Sequence, residues 1–142
     1  MDKVLIIANR LQDRLNLISM LRSTYEIETW NQLPRSFQSF RELKIKGIIL
    51  LVESKHHTEQ FCSKFKTSGL PYWLCLYDKK HRLQHIADIE ESMKVNGYWS
   101  GAVTDGFVGF LNKCCTGKFI FHKTEPRKKR FLDIMANRNR ER

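Results

Sequence analysis

The 142-residue sequence predicts a doubly wound α/β domain built on a five-stranded parallel sheet, and three observations lead there. The runs Lys3–Ala8 and Ile48–Val52 are almost purely aliphatic, which suits strands covered on both faces better than strands with one wet side. Strand-like and helix-like segments alternate five times along the chain. The connections between them are short, and several are marked by Gly or Pro. Such alternation requires right-handed crossovers and places helices on both faces of the sheet.

Each element has its own signature. After the first strand, Leu11, Leu15, Ile18 and Leu21 recur at steps of four and three and predict an amphipathic helix. Tyr25 to Trp30 alternates apolar and polar side chains, as an edge strand does. Pro34 and Ser36 mark a helix start, with Ser36 as N-cap and Phe37, Phe40 and Leu43 following. Gly47 introduces the most apolar run of all, Ile48–Val52, the expected central strand, which ends in Glu53, Ser54 and Lys55. A helix with Phe61 and Phe65 at helical spacing follows, with Thr58 as its expected cap. Gly69 and Pro71 lead into the strand Tyr72–Tyr77, closed by Asp78, Lys79 and Lys80. Leu83, Ile86, Ile89 and Met93 form another helical stripe that stops at Asn96 and Gly97. The short strand Tyr98–Trp99 precedes Gly101, and a last helix sets Phe107, Phe110, Leu111 and Cys114 on one face.

Composition narrows the function classes. The net charge is +10, but from Lys118 onward nine Lys or Arg face only three acids, so most of the excess sits in the C-terminal segment. A basic segment binds phosphate through counterion release, yet it reads bases only with a helix or ribbon in a groove. The N-terminus has no signal-peptide pattern, and no apolar run approaches the roughly 18 residues that span a bilayer. The expected protein is soluble and cytoplasmic, without a membrane partner. Cys62, Cys75, Cys114 and Cys115 lack C-x-x-C spacing and read as reduced, mostly buried thiols rather than a disulfide framework or zinc site. His56 and His57 with Cys62, or His81 with His85, have no third ligand at a recognisable distance, so no metal is expected. No phosphate-cradling glycine loop, G-x-S-x-G elbow or paired cysteine nucleophile is present, and neither catalytic residues nor a cofactor are expected.

The strand order 2-1-3-4-5 expected of this flavodoxin-like pattern puts chemistry at the carboxyl ends of strands one, three and four. The pattern resembles a response-regulator receiver domain. Asn96–Ala102, Asp105–Cys115 and Thr116–Phe121 are similar to the fifth strand, fifth helix and exit segment of LuxR-type regulators, and within these to the CsgD and VpsT kind that govern curli and biofilm-matrix genes. The resemblance covers the whole chain. Pro126–Ala136, with Phe131, Ile134 and Met135 as its apolar stripe, is similar to the opening helix of a LuxR-type helix-turn-helix, and no recognition helix follows it. The resemblance thus implies a receiver-like domain over 1–117, then a linker and an incomplete helix-turn-helix segment over 118–142. Arg127, Lys128, Lys129 and Arg130 are its candidate DNA or phosphate contacts.

Receiver chemistry needs an acidic pair after strand one, an aspartate after strand three and a lysine after strand five. On the resemblance, Ala8 and Asn9 occupy the acidic pair, Val52 the acceptor and Gly101, or Ser100 with a shift of one, the lysine position. Glu53 lies one residue along from the acceptor and is expected on the opposite face by the period-two rule. Tyr77, or Leu76, stands at the switch position. A degenerate, unphosphorylated receiver is the implied state. VpsT-type relatives bind cyclic di-GMP with an aromatic and arginine motif at the start of an extra sixth helix. The matching residues here are Ile120, Phe121, His122 and Lys123, which keep an aromatic and a cation but lose the Trp and the Arg. The resemblance also implies a homodimer, or a heterodimer with full-length relatives, with Phe107, Phe110 and Leu111 as candidate surface residues. DNA contact is expected only through a complete helix-turn-helix domain.

Overall fold

The computed structural model of the protein describes residues 1–84, 86–93 and 95–124. The most aliphatic segments form the middle of the sheet: β1 (Lys3–Ile7), β3 (Gly47–Leu51) and β4 (Trp73–Asp78) are adjacent, with β2 (Glu26–Trp30) outside β1 and β5 (Gly97–Ser100) outside β4. Every pair is parallel, and the full order is β2-β1-β3-β4-β5-β6. The sheet therefore has six strands rather than the expected five. The sixth, β6 (Ile120–Lys123), pairs with β5 through Tyr98 opposite Phe121 and Trp99 opposite His122. Gly117, at φ 84°, lies between α5 (Phe107–Cys114) and this strand, and the sheet continues past the boundary expected at residue 117.

Period two along the strands divides the core into two layers. Leu5, Ile7, Ile48, Leu50, Val52, Leu74, Leu76 and Tyr98 face one side. They meet Phe40 of α2 (Gln38–Arg41) and Phe61, Cys62 and Phe65 of α3 (Lys55–Ser68). Ile89 and Met93 complete this side from a π-helical turn, Ile89–Met93, that follows the single turn α4 (Ile86–Asp88). The long α-helix expected over this stripe is thus a short α/π segment, in which Ile89 and Met93 still reach the core. On the other side Val4, Ile6, Ala8, Ile49, Leu51, Cys75, Tyr77 and Trp99 pack against α1 (Leu11–Leu21) and α5.

Three helical details depart from the sequence reading. The inward residues of α1 are Asp13, Leu17 and Leu21, while Leu11 is 62% and Leu15 47% exposed. Both stripes have helical spacing, and the crossing of α1 over β1 selects the one that includes an aspartate. The cap of α3 is Ser54, whose Oγ accepts the His57 N–H at 3.1 Å. Thr58 lies one turn inside, buried, and donates its hydroxyl to the Ser54 carbonyl at 2.8 Å. The N-cap position of the four-residue α2 is Phe37 rather than the expected Ser36, whose Oγ accepts the Gln38 N–H at 3.1 Å from one residue further out. Gly47 is required by a close approach, because a Cβ there would lie 2.0 Å from the Trp73 indole. No helix among the described residues is long and apolar enough to cross a membrane.

All four thiols are free; Cys62, Cys75 and Cys114 are buried and Cys115 is exposed. Burial pushes the Cys62 thiol up to about 12, and burial followed by the neighbouring Cys114 raises that of Cys75. Cys115 is also raised, by partial burial and then by Cys114 beside it. A raised thiol pKa keeps the nucleophilic thiolate scarce until the pH passes the ordinary thiol range. Native alkylation is accordingly expected to stop at one thiol, Cys115, with a rate that climbs with pH and has not levelled at pH 9. Mass spectrometry of iodoacetamide-treated native protein checks this, and rapid modification of two or more thiols would contradict the packing.

Candidate functional site

The carboxyl ends of β1, β3, β4 and β5 meet along one edge, the place where a parallel sheet of this order carries its ligands and chemistry. Ala8 is buried just after β1, and Val52, also buried, follows β3 with its N–H on the Tyr77 carbonyl at 2.8 Å. Asn9 is exposed, and its backbone N–H donates to Glu53 Oε1 at 3.3 Å. This contact corrects the expectation for Glu53. β3 ends at Leu51, so the period-two rule no longer governs residue 53, and its carboxylate turns back over the edge toward β1. Arg14 closes the same loop, with Nη1 donating to the carbonyls of Ala8 at 2.6 Å and Asn9 at 2.8 Å.

The space above Val52 is a small cleft of about 70 Å³. Arg10, Lys79, Lys80 and Arg82 border it, against only Asp13 and Glu53. Asp13 is nearly buried and already pairs with Lys79 at 3.1 Å. A hard divalent cation needs several carboxylate oxygens, and this border is dominated by positive charge. Among the described residues no three His, Cys, Asp or Glu lie close enough to hold a metal. His56 and His57 are exposed near the start of α3 while Cys62 faces the core, and His85 lies outside the described residues.

The β4 end holds a residue that the sequence reading took for a mere strand terminator. Asp78 shares the register parity of Leu74 and Leu76, so its side chain enters the layer that contains Tyr98. It is fully buried and satisfied by three donors: the N–H groups of Arg82 at 2.8 Å and Leu83 at 2.7 Å, and the Tyr98 hydroxyl at 2.6 Å. The Leu83 carbonyl lies 2.9 Å from the same hydroxyl. Burial, then the bond to the Asp78 carboxylate, pushes the Tyr98 phenol far above its ordinary value, so it stays a donor. Next to this cluster the buried Ser100 Oγ hydrogen-bonds His81 Nδ1, and His81 has a left-handed φ of 53°. Gly101, at φ 102°, gives its N–H to the Asp78 carbonyl at 2.8 Å, and a Cβ there would meet the Thr124 carbonyl oxygen at 2.8 Å. Tyr77 is buried beside Phe107, and burial raises its phenol as well.

The remaining expected contacts are distributed as follows. Phe107, Phe110 and Leu111 are buried, with Phe107 and Phe110 set edge-on against Trp99. They are core residues, and they leave no surface of their own on α5. Phe121, His122 and Lys123 lie on β6 rather than at the start of a helix. Phe121 stacks on Tyr98 with centroids 5.8 Å apart, and His122 stacks on Trp99 at 3.7 Å. Arg127, Lys128, Lys129 and Arg130 lie outside the described residues.

Two solved structures share this architecture. A LuxR family DNA-binding response regulator from Silicibacter pomeroyi matches with a TM-score of 0.64 and 16% identity, over 90% of this chain and 99% of its own. Full-length FixJ from B. japonicum matches with a TM-score of 0.51 and 10% identity, over 99% of this chain and 58% of its own. The likeness is one of fold: the chain is receiver-like. No family model and no curated protein matches the sequence.

In this receiver-like edge Asp78 is the residue whose loss has a large expected effect. Asp78→Ala strands the Arg82 and Leu83 N–H groups and leaves the Tyr98 hydroxyl only the Leu83 carbonyl, a cost of about 3 kcal/mol or a fall in Tm of about 10 °C. Tyr98→Phe removes one donor and costs about 1 kcal/mol. Because the two share a bond, the double variant is expected to lose less than the two single losses combined. Thermal unfolding of the three variants checks this, and an unchanged Tm for Asp78→Ala would contradict it.

Proposed function

We propose that this chain is a non-catalytic regulatory and dimerisation domain of a LuxR/CsgD-type transcriptional regulator, one that is not phosphorylated at the usual position. The reading is supported by the carboxyl edge: a receiver-like sheet whose acidic-pair, acceptor and lysine positions, on the resemblance, fall on Ala8 and Asn9, Val52, and Gly101 or Ser100. Glu53 is engaged with the Asn9 amide, and the cleft above Val52 is bordered mainly by cations. Phosphoryl transfer from an acyl phosphate needs a carboxylate nucleophile and a bound Mg²⁺, and this set supplies neither role well. Information then enters through association, not through a covalent mark.

Association draws its support from α1. Leu11 and Leu15 are exposed, one helical turn apart on α1, and the half-buried Ile18 packs against the core at their border. Leu11 and Leu15 are two of the four large apolar side chains left exposed among the described residues. A second copy, or a full-length relative with a similar helix, is the partner this surface fits. A cyclic di-GMP response gains no comparable support. The rings of Phe121 and His122, at the positions resembling the VpsT motif, already stack on Tyr98 and Trp99. DNA recognition belongs to a complete helix-turn-helix domain.

Sedimentation equilibrium tests this reading. The chain is expected to dimerise, Leu15→Glu to weaken the dimer at least about tenfold with an unchanged circular dichroism spectrum, and acetyl phosphate with Mg²⁺ to leave both unaltered. A chain that stays monomeric at every concentration, or that dimerises only with acetyl phosphate, would contradict it.

A further inference from the structure

On the side of Glu53 away from the cationic cleft, the carboxyl edge opens into a crevice of about 370 Å³ between the β1 and β3 ends. This is the point at which the strand order reverses, since β1 leads outward to β2 and β3 leads the other way. The crevice has an aliphatic floor, including Ile7, Leu33 and Leu50. Its polar lining consists of one carboxylate, Glu53, with the amides of Asn9, Asn31 and Gln32 and the side chains of Ser54, His57 and Thr58. No Lys or Arg borders it. Asn31, Gln32 and Leu33 also border a second, more open basin of about 650 Å³, so the two cavities adjoin at the β2–α2 loop as a trough in two parts.

The basin has the opposite character. Arg14, Trp30 and Arg35 border it, and no Asp or Glu does. Arg14 is preorganised, because Nη1 is fixed on the Ala8 and Asn9 carbonyls while its Nη2 and Nε donors remain for another acceptor. A guanidinium fixed in this way binds phosphate or carboxylate at a lower ordering cost than a free one. The trough is thus polarised along its length, from an apolar slot edged with amide donors and acceptors to a pair of arginines beside an indole. Side-chain amides match the donor and acceptor pattern of a nucleobase edge, and a carboxylate accepts from a ring amino group. The crevice alone falls within the roughly 300–1,000 Å³ of small-molecule sites.

We infer that this trough is a mononucleotide site, with the base in the Ile7–Leu33–Leu50 crevice against Asn9, Asn31 and Gln32, and the phosphate on Arg14 and Arg35. The site lies across Glu53 from the cleft above Val52 and apart from the β6 residues, and although Arg14 belongs to α1, the exposed Leu11 and Leu15 do not line it, so it adds a small-molecule input to the proposed association. Its failure leaves the association reading intact, because the two are measured on different residues.

The test is a ¹⁵N-HSQC titration of the full chain with AMP, GMP, CMP and UMP, with the matching nucleosides and inorganic phosphate as controls. At least one nucleotide is expected to move the amides of Asn9, Gln32, Ser54 and His57 with saturation below roughly 10 mM, and its nucleoside to move the same amides more weakly. Phosphate alone is expected to leave the crevice amides in place. Arg35→Ala, an exposed loop change, is expected to weaken the nucleotide about fivefold and leave the nucleoside within about twofold. Four nucleotides that leave these amides unmoved would overturn the site. So would shifts confined to Lys79, Lys80 and Arg82, or an Arg35→Ala effect equal for nucleotide and nucleoside.

Discussion

The carboxyl edge of this sheet depends on one buried carboxylate. Asp78 sits at the end of a central strand with no exposure, and it accepts from the backbone of the following loop at Arg82 and Leu83 and from the phenol of Tyr98 on the next strand. A buried charge is tolerable only with such full satisfaction. Its position therefore dictates the rest: the loop after β4 must fold back to supply two N–H groups, Tyr98 must lie inward, and Phe121 finds Tyr98 as a stacking surface on the added strand. The left-handed His81 and Gly101 are the backbone conformations that let two chain segments converge on this point.

A receiver-like edge ordinarily gains its two states from a group that is added and removed. Here the side chains at the edge bond to one another and to the backbone. Tyr98 is bound to Asp78, Asp13 to Lys79, Glu53 to the Asn9 amide and Arg14 to two carbonyls. The bonds of Asp78, Asp13 and Glu53 engage the carboxylates of this edge, whereas Arg14 keeps its Nη2 and Nε donors. What stays available lies away from that position: an apolar stripe on α1 and a polarised trough over the β1–β3 reversal.

The layered α/β architecture was legible because aliphatic runs such as Ile48–Val52 have few other fates, and the two-layer core follows from period two once the strands are placed. What the carboxyl edge contains was less legible. Asp78 follows an apolar run and reads as a terminator, and only its parity with Leu74 and Leu76 signals burial. The inward face of α1 was misread because two apolar stripes compete on that helix and the buried one includes a charged residue, Asp13, whose partner Lys79 is 66 residues away. Glu53 was misplaced by one assumption, that the strand continues to it. β6 is four residues of modest hydrophobicity, and only its pairing with β5 makes it a strand.

The proposal of an unphosphorylated regulatory domain requires this edge to stay closed when a phosphoryl mimic is offered. The most direct measurement is a ¹⁵N-HSQC spectrum recorded with and without Mg²⁺ and beryllofluoride, which mimics a phosphoryl group on an acceptor carboxylate. The amides of Ala8, Asn9, Val52, Glu53, Tyr77, Asp78 and Gly101 are expected to keep their positions. Saturable shifts at Val52, Glu53 and Tyr98 together would show a working acceptor and a mobile Tyr98, and would contradict it.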